Sequence, residues 1–460
     1  MKDEGGIGTY KEGIADRNVP VVCNPQGARI WSGIDTESVS SAHHFSLTLR
    51  MPRIPWRSVG LVLLFLLSGA LGGFLIGKGI GYANGADRRV RLPTGAIACK
   101  PGPWGDLSYT PFTIAAPDDL VPVRTIEQVG TRWFLPGYTA DSFVTLLQST
   151  SLTQDQQHAL LDPAVFQVRP DGIELTPTPE MVFLLPEDAR SKIYQVLPQS
   201  NENDGQVNFM PKSELGEHFS GSGVSQQTME MFKRLCIERN GYLMFSGVAA
   251  MLAQIPTYDE KLSFAKALTR QRTMVLNLRV TPTSDVDGLT AYWGKGSWNT
   301  DLRTILESMT KIPNGTVMNI LMVLPPLPTA EVYDYPRLVD NPLDGPLVNR
   351  DCCWTSFNFF RETPDPNFGK MDYVLRELNT NYRLVSGDPK FGDVVMIARP
   401  DGFLVHAAIY LADDICFTKN GSTLVHPWML STLDDIEKQF EFQLDPGQTL
   451  TVKYFRKKGW

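Results

Sequence analysis

The sequence NRDCCWTSF, at residues 349–357, places two adjacent cysteines where a helix is predicted to begin. Asp351 and Asn349 are both residue types favoured at a helix N-cap, and either choice puts Cys352 and Cys353 in the first helical turn. The unpaired N–H groups and the positive helix end at that turn lower the pKa of a thiol and can hold an oxyanion. The stretch therefore predicts a cysteine nucleophile at a helix start.

A second sequence, FLVHAAIYL at residues 403–411, supplies a candidate base. Residues 391–398 predict one strand, residues 404–411 the next, and residues 415–420 its hairpin partner. The strand at 404–411 is largely apolar and therefore predicted to be buried, so His406 is an unusual residue within it. A cysteine on a helix followed by a histidine on a strand is typical of a cysteine–histidine hydrolytic site.

A third polar group is expected beside the histidine, because a catalytic imidazole needs a partner that fixes its tautomer. The hairpin register decides which residue this is. A loop with an odd number of residues places Asn420 opposite His406, whereas a two-residue turn places the next residue there. We predict Asn420 as the orienting residue, with Thr418 and His426 as alternatives.

Together these elements resemble the NlpC/P60 superfamily of papain-like cysteine hydrolases. That family has Asp-Cys at a helix start, Gly-Asp before a strand, and a His-x-x-Ile-Tyr-Leu strand followed by a hairpin with a third polar residue. The corresponding residues here are 351–353, 392–393 and 406–411, and the similarity covers about the last quarter of the chain, residues 338–460. The resemblance implies hydrolysis of an amide or related acyl bond, and many family members cut peptidoglycan stem peptides.

The sequence departs from the family pattern in two places. The small residues usual after the nucleophile are absent, and Cys353 and Trp354 are instead similar to the Cys-Trp pair of papain, which favours Cys353. The Asp-Cys alignment favours Cys352. The usual histidine at the third position is also missing. On this resemblance Cys353 would attack, His406 would transfer the proton, and Asn420 would orient His406.

Each motif also has a structural interpretation. Free cysteines are commonly buried, and a single histidine in an apolar strand is more often a core residue than a base. The order and spacing of the motifs together favour catalysis, whereas Cys416 is predicted to be a core thiol. No cofactor and no metal site is predicted, because ligand-like spacing is lacking at the histidines His43, His44, His158 and His218.

Residues 59–77 carry no charge and are long enough to cross a bilayer as a helix, which needs about 20 apolar residues. We predict a transmembrane helix or signal-anchor over residues 58–83, with the bulk of the chain on the outer or periplasmic side. A cleaved signal and a buried helix are the alternatives. Residues 1–57 are predicted to be a polar, disordered segment, and Met51, before a short basic stretch, is an alternative start.

The composition is that of a globular protein with more than one domain. The 460 residues are 42% hydrophobic and 20% charged, and the net charge of −7 without a basic patch excludes a typical nucleic-acid binder. We predict a linker at 84–122, a small α/β accessory region at 123–328 with βαβ-like alternation, and an α+β hydrolase domain at 329–460.

The sequence thus predicts a membrane-anchored, papain-like cysteine hydrolase that acts on a peptide or peptidoglycan-like substrate. Two other classes remain open. One is a non-catalytic, membrane-anchored binding or scaffolding module with the same fold. The other is an acyltransferase or transpeptidase that uses the same thiol.

Overall fold

The computed structural model describes residues 95–203, 206–296, 300–336, 350–445 and 447–460. These residues contain sixteen strands. They are β1 Ile97–Ala98, β2 Asp106–Ile114, β3 Trp133–Pro136, β4 Phe166–Arg169, β5 Gly172–Leu175, β6 Val207–Pro211, β7 Ile237–Arg239, β8 Tyr242–Ser246, β9 Gln271–Val280, β10 Thr316–Asn319, β11 Tyr382–Leu384, β12 Val394–Ala398, β13 Leu404–Ala412, β14 Ile415–Lys419, β15 Trp428–Thr432 and β16 Thr451–Lys457.

The same parts of the chain contain fifteen α-helices. They are α1 Val123–Val129, α2 Ala140–Gln148, α3 Gln154–Leu160, α4 Pro179–Leu184, α5 Glu187–Val196, α6 Leu215–Phe219, α7 Gln226–Leu235, α8 Val248–Gln254, α9 Tyr258–Leu268, α10 Val286–Trp293, α11 Leu302–Thr310, α12 Pro326–Glu331, α13 Cys352–Asn358, α14 Met371–Asn381 and α15 Leu433–Phe440.

The helices correct the membrane prediction. The longest, α9 and α14, have 11 residues each, and at 1.5 Å per residue such a helix rises only about 16 Å, against about 30 Å for the hydrocarbon core of a bilayer. No helix in the described ranges is both long and apolar enough to cross a membrane. The assignment of a single-pass membrane protein is therefore not supported. The predicted span at residues 58–83 lies outside the described residues, and so do residues 1–57, which include Met51.

The strands form four sheets, ordered β1-β2-β9-β10, β3-β5-β4, β6-β8-β7 and β11-β16-β12-β13-β14-β15. Every pairing between these strands is antiparallel. The predicted βαβ units of the accessory region are therefore wrong, because alternation of helices and strands along a chain does not fix which strands pair.

The β7–β8 hairpin shows the local reason for the antiparallel arrangement. Only Asn240 and Gly241 separate the two strands, and both have positive φ angles, 51° and 81°. Such a two-residue turn joins antiparallel strands, whereas a parallel pair needs a crossover of a dozen or more residues. The Asn-Gly pair is a sequence signal for a hairpin that the prediction did not use.

The last sheet is buried on both faces by two different cores. Along β13, Ala407 and Ile409 belong to a core shared with α13, whereas Ala408 and Tyr410 belong to a smaller core that includes Ile436 of α15. This separation follows from the period of two in a strand, which sends successive side chains to opposite faces. The sheet is therefore the middle layer between the cysteine helix and α15.

Helix α13 begins where the sequence predicts. The Asp351 side chain caps it by accepting a hydrogen bond from the Trp354 N–H at 2.8 Å, and all seven helical residues are buried. The helix ends at Asn358, and the Asn358 side chain holds the next turn through hydrogen bonds with the N–H and C=O of Asp365. Burial on all sides fixes the position of both cysteines against the sheet.

The first sheet, β1-β2-β9-β10, packs into the C-terminal part of the chain. Thr273 of β9 donates its hydroxyl hydrogen to the Leu430 carbonyl at 2.9 Å, and the Tyr292 hydroxyl donates to the Leu411 carbonyl at 2.8 Å. Residues on both sides of the predicted boundary at 328 and 329 therefore share one core. A second core is formed almost wholly by residues 116–267.

A buried ion pair links two neighbouring strands of the last sheet, β12 and β16. The Asp393 carboxylate, 1% exposed, accepts hydrogen bonds from Arg456 Nε at 2.8 Å and Nη2 at 2.6 Å. It also accepts the Lys390 N–H at 2.8 Å. The pair links the turn before β12 to strand β16.

Removal of one partner of this pair should destabilise the fold, because the other charge is left buried without compensation. We expect Asp393→Asn and Arg456→Met each to lower the free energy of unfolding by about 3–5 kcal/mol, measured by urea denaturation. Asp372→Asn, at an exposed ion pair on α14, is the matched control and should have little effect. A change at Asp393 no larger than the control would contradict this account.

Candidate functional site

The two cysteines lie at the start of α13, next to a buried lysine. Cys353 is fully buried and Cys352 is 8% exposed. Lys419, the last residue of β14, is also fully buried, and its Nζ donates hydrogen bonds to the carbonyls of Gly421 at 2.6 Å and Thr423 at 3.1 Å. A buried lysine is costly unless its ammonium is hydrogen-bonded or it gives up its proton.

Burial in this cluster moves the pKa values of two side chains, Asp351 and Lys419, into the neutral range. Burial, with a smaller contribution from the nearby Cys352, raises the pKa of Asp351 to about 7, against the opposing Trp354 N–H and Lys419. Burial lowers the pKa of Lys419 to about 7, although the negative charges of Asp351 and Cys352 act in the opposite direction. Near pH 7 the Lys419 amine is therefore available in part as a neutral proton acceptor.

His406 lies on the opposite face of the sheet from the cysteines. It has the same parity along β13 as Ala408, which belongs to the core under α15, and its ring stacks on Phe440 at 4.8 Å between centroids. Cys353 belongs with Ala407 to the core on the other face. The structure thus separates Cys353 from His406, which corrects the prediction that these two side chains meet. The buried sheet itself stands between them.

His406 is instead the start of a chain of hydrogen bonds. Its Nε2 is 2.6 Å from the Thr418 hydroxyl, which donates to Asn420 Oδ1 at 3.1 Å, and Asn420 Nδ2 donates to Gln439 Oε1 at 2.6 Å. Because the Thr418 hydroxyl donates onward, its oxygen accepts from His406, so Nε2 carries the hydrogen. Thr418, the alternative third residue, is therefore the direct partner of His406, and Asn420 is one hydrogen bond further away.

Gln439 completes this chain and was not identified from the sequence. It lies on α15, and nothing in the local sequence marks it as more than an exposed helical residue. The hairpin register was the information that could have located Asn420 relative to His406. The pairs Ile409–Phe417 and Tyr410–Cys416, continued along the ladder, place Asn420 opposite His406.

Strand β14 ends with residues that point to alternate faces. Thr418 and Asn420 belong to the hydrogen-bond chain on the His406 side of the sheet, whereas Lys419 between them interacts with groups on the cysteine side. His426, the other alternative third residue, lies close to Lys419. Burial, with a smaller contribution from Lys419, lowers the pKa of His426 to about 3, and its Nδ1 is 2.7 Å from the Thr423 hydroxyl. His426 is thus a neutral imidazole near the amine.

The loop geometry around His426 requires glycine at position 421. Gly421 has a φ of 152°, and a Cβ there would lie 2.4 Å from His426 Nδ1. No larger residue fits without moving the imidazole. The loop therefore holds His426 and the carbonyl that binds Lys419 in one arrangement.

The first turn of α13 uses its N–H groups internally. Asp351 accepts the Trp354 N–H through its side chain, with a further hydrogen bond from the Cys353 N–H, and its carbonyl accepts the Thr355 N–H at 3.0 Å. The main-chain oxyanion site that the sequence suggests is therefore occupied by the Asp351 carboxylate. An oxyanion formed at Cys352 would need another positive group, and the Lys419 amine interacts electrostatically with Cys352.

Asp351, Cys352 and Cys353 could in principle contact one cation, since their ligand atoms lie within 4.8 Å of one another. A structural zinc site uses four ligands, and these three consecutive residues offer three. The positive charge of Lys419 interacts electrostatically with the same carboxylate and thiol and would oppose a bound cation. These three residues alone therefore do not complete a structural zinc site.

The other described cysteines, Cys99, Cys236 and Cys416, are free thiols. Cys416 is fully buried beneath α15, which confirms its predicted place in a core. Comparison of the chain with protein-family models, with curated proteins and with solved structures found no match. The NlpC/P60 resemblance stays a prediction that depends on the quoted motifs.

The protonation of Asp351 predicts a pH-dependent stability. Because the pKa of Asp351 is raised from its usual 3.8 to about 7 in the folded protein, ionisation of the carboxyl costs stability as the pH rises through this window. Asn at this position still caps the helix and cannot ionise. The unfolding free energy of Asp351→Asn should therefore increase relative to wild type by up to about 1.4 kcal/mol per pH unit.

Urea denaturation across this pH range measures the difference. Lys419 titrates from about 7 upward in the folded protein, so it affects only the upper end of this window. Asp372→Asn on exposed α14 serves as the control and should show no such trend. A difference between Asp351→Asn and wild type that is independent of pH would disprove the raised pKa.

Proposed function

We propose that the C-terminal part of the chain is a thiol-dependent amide hydrolase in which Cys352 is the nucleophile and Lys419 is its proton acceptor. The observation that carries this proposal is the position of Cys352 at the first residue of α13, where it interacts electrostatically with the buried amine of Lys419. Cysteine and lysine side chains both serve as active-site groups when their surroundings shift their protonation.

We prefer Cys352 to Cys353 as the nucleophile, although the papain-like Cys-Trp pair in the sequence favours Cys353. Cys353 is fully enclosed, whereas Cys352 retains some exposure and interacts electrostatically with both Lys419 and Asp351. A nucleophile must reach a substrate carbonyl as well as its base. Cys352 combines some exposure with an electrostatic interaction with the Lys419 amine.

The proposed reaction proceeds through a thioester. The Cys352 thiol gives its proton to the neutral Lys419 amine, and the thiolate attacks the carbonyl carbon of the amide. The Lys419 ammonium stabilises the oxyanion and then gives its proton to the departing amine nitrogen as the C–N bond breaks. Water, deprotonated by Lys419, attacks the thioester, so that a carboxylic acid leaves and Cys352 recovers its proton.

The substrate class follows from the resemblance to NlpC/P60 hydrolases, which supports a peptide amide and, more narrowly, a peptidoglycan-like peptide. The same thioester could be resolved by an amine instead of water, which would make the protein an acyltransferase. Product analysis with and without an added amine separates these two reactions.

A second candidate function, a non-catalytic binding module, is favoured by a different observation. His406 faces away from both thiols, and the first N–H groups of α13 are engaged by Asp351. In that case Lys419 and Asp351 are buried structural groups that interact electrostatically, and the cysteines are core residues. Thiol reactivity discriminates the two functions.

Iodoacetamide labelling against pH, with peptide mapping by mass spectrometry, tests the proposal on the full chain. We expect Cys352 to react first in the folded protein. Lys419→Met should slow its alkylation near neutral pH by about 10-fold, because a rise of one unit in the thiol pKa lowers the thiolate fraction by that factor. His406→Ala should leave the rate unchanged. Arg376→Met, on an exposed face of α14, is a control for removal of a positive charge.

Two outcomes would contradict the proposal. Slow labelling of Cys352 that Lys419→Met does not change would favour the binding module. A loss of labelling in His406→Ala, with Lys419→Met unaffected, would favour the cysteine–histidine site predicted from the sequence. Because Lys419→Met removes a positive charge that favours the ionised form of Asp351, the Asp351→Asn/Lys419→Met double variant provides a second measurement in which neither side chain carries a charge.

A further inference from the structure

The two adjacent cysteines of α13 bring two sulfur atoms to one buried position. The Sγ atoms of Cys352 and Cys353 and a carboxylate oxygen of Asp351 all lie within 4.8 Å of one another. Neither cysteine forms a disulfide, and both are more than nine-tenths buried. No other such group of His, Cys, Asp and Glu ligands occurs in the part of the chain that the structure describes. The proposed hydrolysis uses one of these thiols and gives the other no role.

The number of ligands decides which ion two sulfurs can hold. Thiolate is a soft ligand that selects copper(I) and zinc. Zinc in a structural site is tetrahedral and uses four ligands, whereas copper(I), a monovalent ion with a filled d shell, is stable between two thiolates in a nearly linear arrangement. At metal–sulfur bonds of about 2.3 Å, two such sulfurs lie about 4.6 Å apart. That separation is compatible with the observed limit of 4.8 Å.

The charges around the cysteines fit such a complex. Two thiolates with one copper(I) ion carry a single net negative charge. The positive charge of Lys419, which interacts electrostatically with Cys352, therefore opposes an uncompensated cation but favours this anionic complex. The Asp351 carboxylate caps the helix by accepting the N–H groups of Trp354 and Cys353. As an oxygen ligand it suits copper(I) less well than sulfur does.

We propose that Cys352 and Cys353 form a two-coordinate copper(I) site at the start of α13. Binding exchanges two S–H bonds for two S–Cu bonds, and two protons leave the thiols, while the oxidation state of copper does not change. The ion enters from the side of Cys352, which is 8% exposed, and the complete burial of Cys353 keeps water and oxidants from the complex. Such a site does not require Cys352 to be a nucleophile.

Competition with the chelator bathocuproine disulfonate, under nitrogen and with copper supplied as copper(I), tests the site on the full chain. We expect one copper(I) ion per chain to move from the coloured chelate to the protein. Cys352→Ser and Cys353→Ser should each lower the affinity by at least about 100-fold, because a change outside the ligands already costs about 10–100-fold. Cys99→Ser, at a half-buried single thiol, is the matched control and should leave the affinity unchanged.

Two results of this competition would overturn the proposal. One is that no copper(I) moves to the wild-type protein. The other is that Cys353→Ser binds copper(I) as tightly as wild type, since a site on Cys352 alone is not the one proposed.

Two substitutions near the sulfurs test the ligand set. Asp351→Asn still caps the helix and should retain copper(I), because the site uses no carboxylate. Lys419→Met should weaken binding by about 10–100-fold, the effect of a change outside the ligands. A loss of affinity in Asp351→Asn as large as that in Cys353→Ser would indicate a three-ligand site and refute the proposed coordination.

Substitution of the enclosed Cys353 also disturbs the core, so the wild-type complex provides a second measurement. X-ray absorption at the copper edge should show two sulfur atoms bonded to copper and no oxygen or nitrogen. Three or four bonded neighbours, or any nitrogen ligand, would contradict the two-sulfur site.

Alkylation of the metal-free protein separates this site from the proposed function. Retention of copper(I) together with slow alkylation of Cys352 would keep the ion site and reject the hydrolase. Rapid alkylation that depends on Lys419, without retention of copper(I), would have the reverse meaning.

Discussion

The arrangement of this protein around its cysteines depends on the alternation of side chains along β13 and β14, two neighbouring strands of a sheet that is buried on both faces. Thr418, Lys419 and Asn420 are consecutive, yet the middle one reaches the cysteine helix and its neighbours reach the histidine. One strand end thus supplies polar groups to two sites that cannot touch. A shift of the register by one residue would exchange them.

The buried amine on the cysteine side is compatible with the fold because the chain provides acceptors for it. The carbonyls of Gly421 and Thr423 accept hydrogen bonds from its Nζ, and the negative charge of Asp351 favours its ammonium form electrostatically. Trp428, which follows the loop, binds the cysteine helix through a hydrogen bond from its Nε1 to the Thr355 hydroxyl at 2.9 Å. The loop, the helix and β15 therefore support one another.

Much of the C-terminal architecture could be predicted from local sequence. The strand predicted at 404–411 is observed as β13 at Leu404–Ala412, and the strand predicted at 391–398 as β12 at Val394–Ala398. These predictions succeeded because caps and apolar runs act within a few residues of chain. The cysteine helix was located correctly for the same reason.

The face of the sheet on which the His406 side chain lies could not be predicted from the sequence, and the reason is physical. Alternation of polar and apolar residues reveals the faces of a strand only where one face meets water. All residues of β13 but one are buried, so its sequence is apolar on both sides and carries no such signal. The side on which α13 packs is a long-range property, as is the pairing of β9 with β2.

Because both faces of the sheet are buried, the reactivity of its enclosed thiols reports how often the layers that cover them open. Cys353 and Cys416 are both fully enclosed, one in each core, on opposite faces of a single sheet. A reagent reaches either thiol only when the covering layer opens, so its alkylation rate reports the frequency of that opening. Equal rates would mean that both layers are lost together in global unfolding. Unequal rates would identify α13 or α15 as the layer that detaches first.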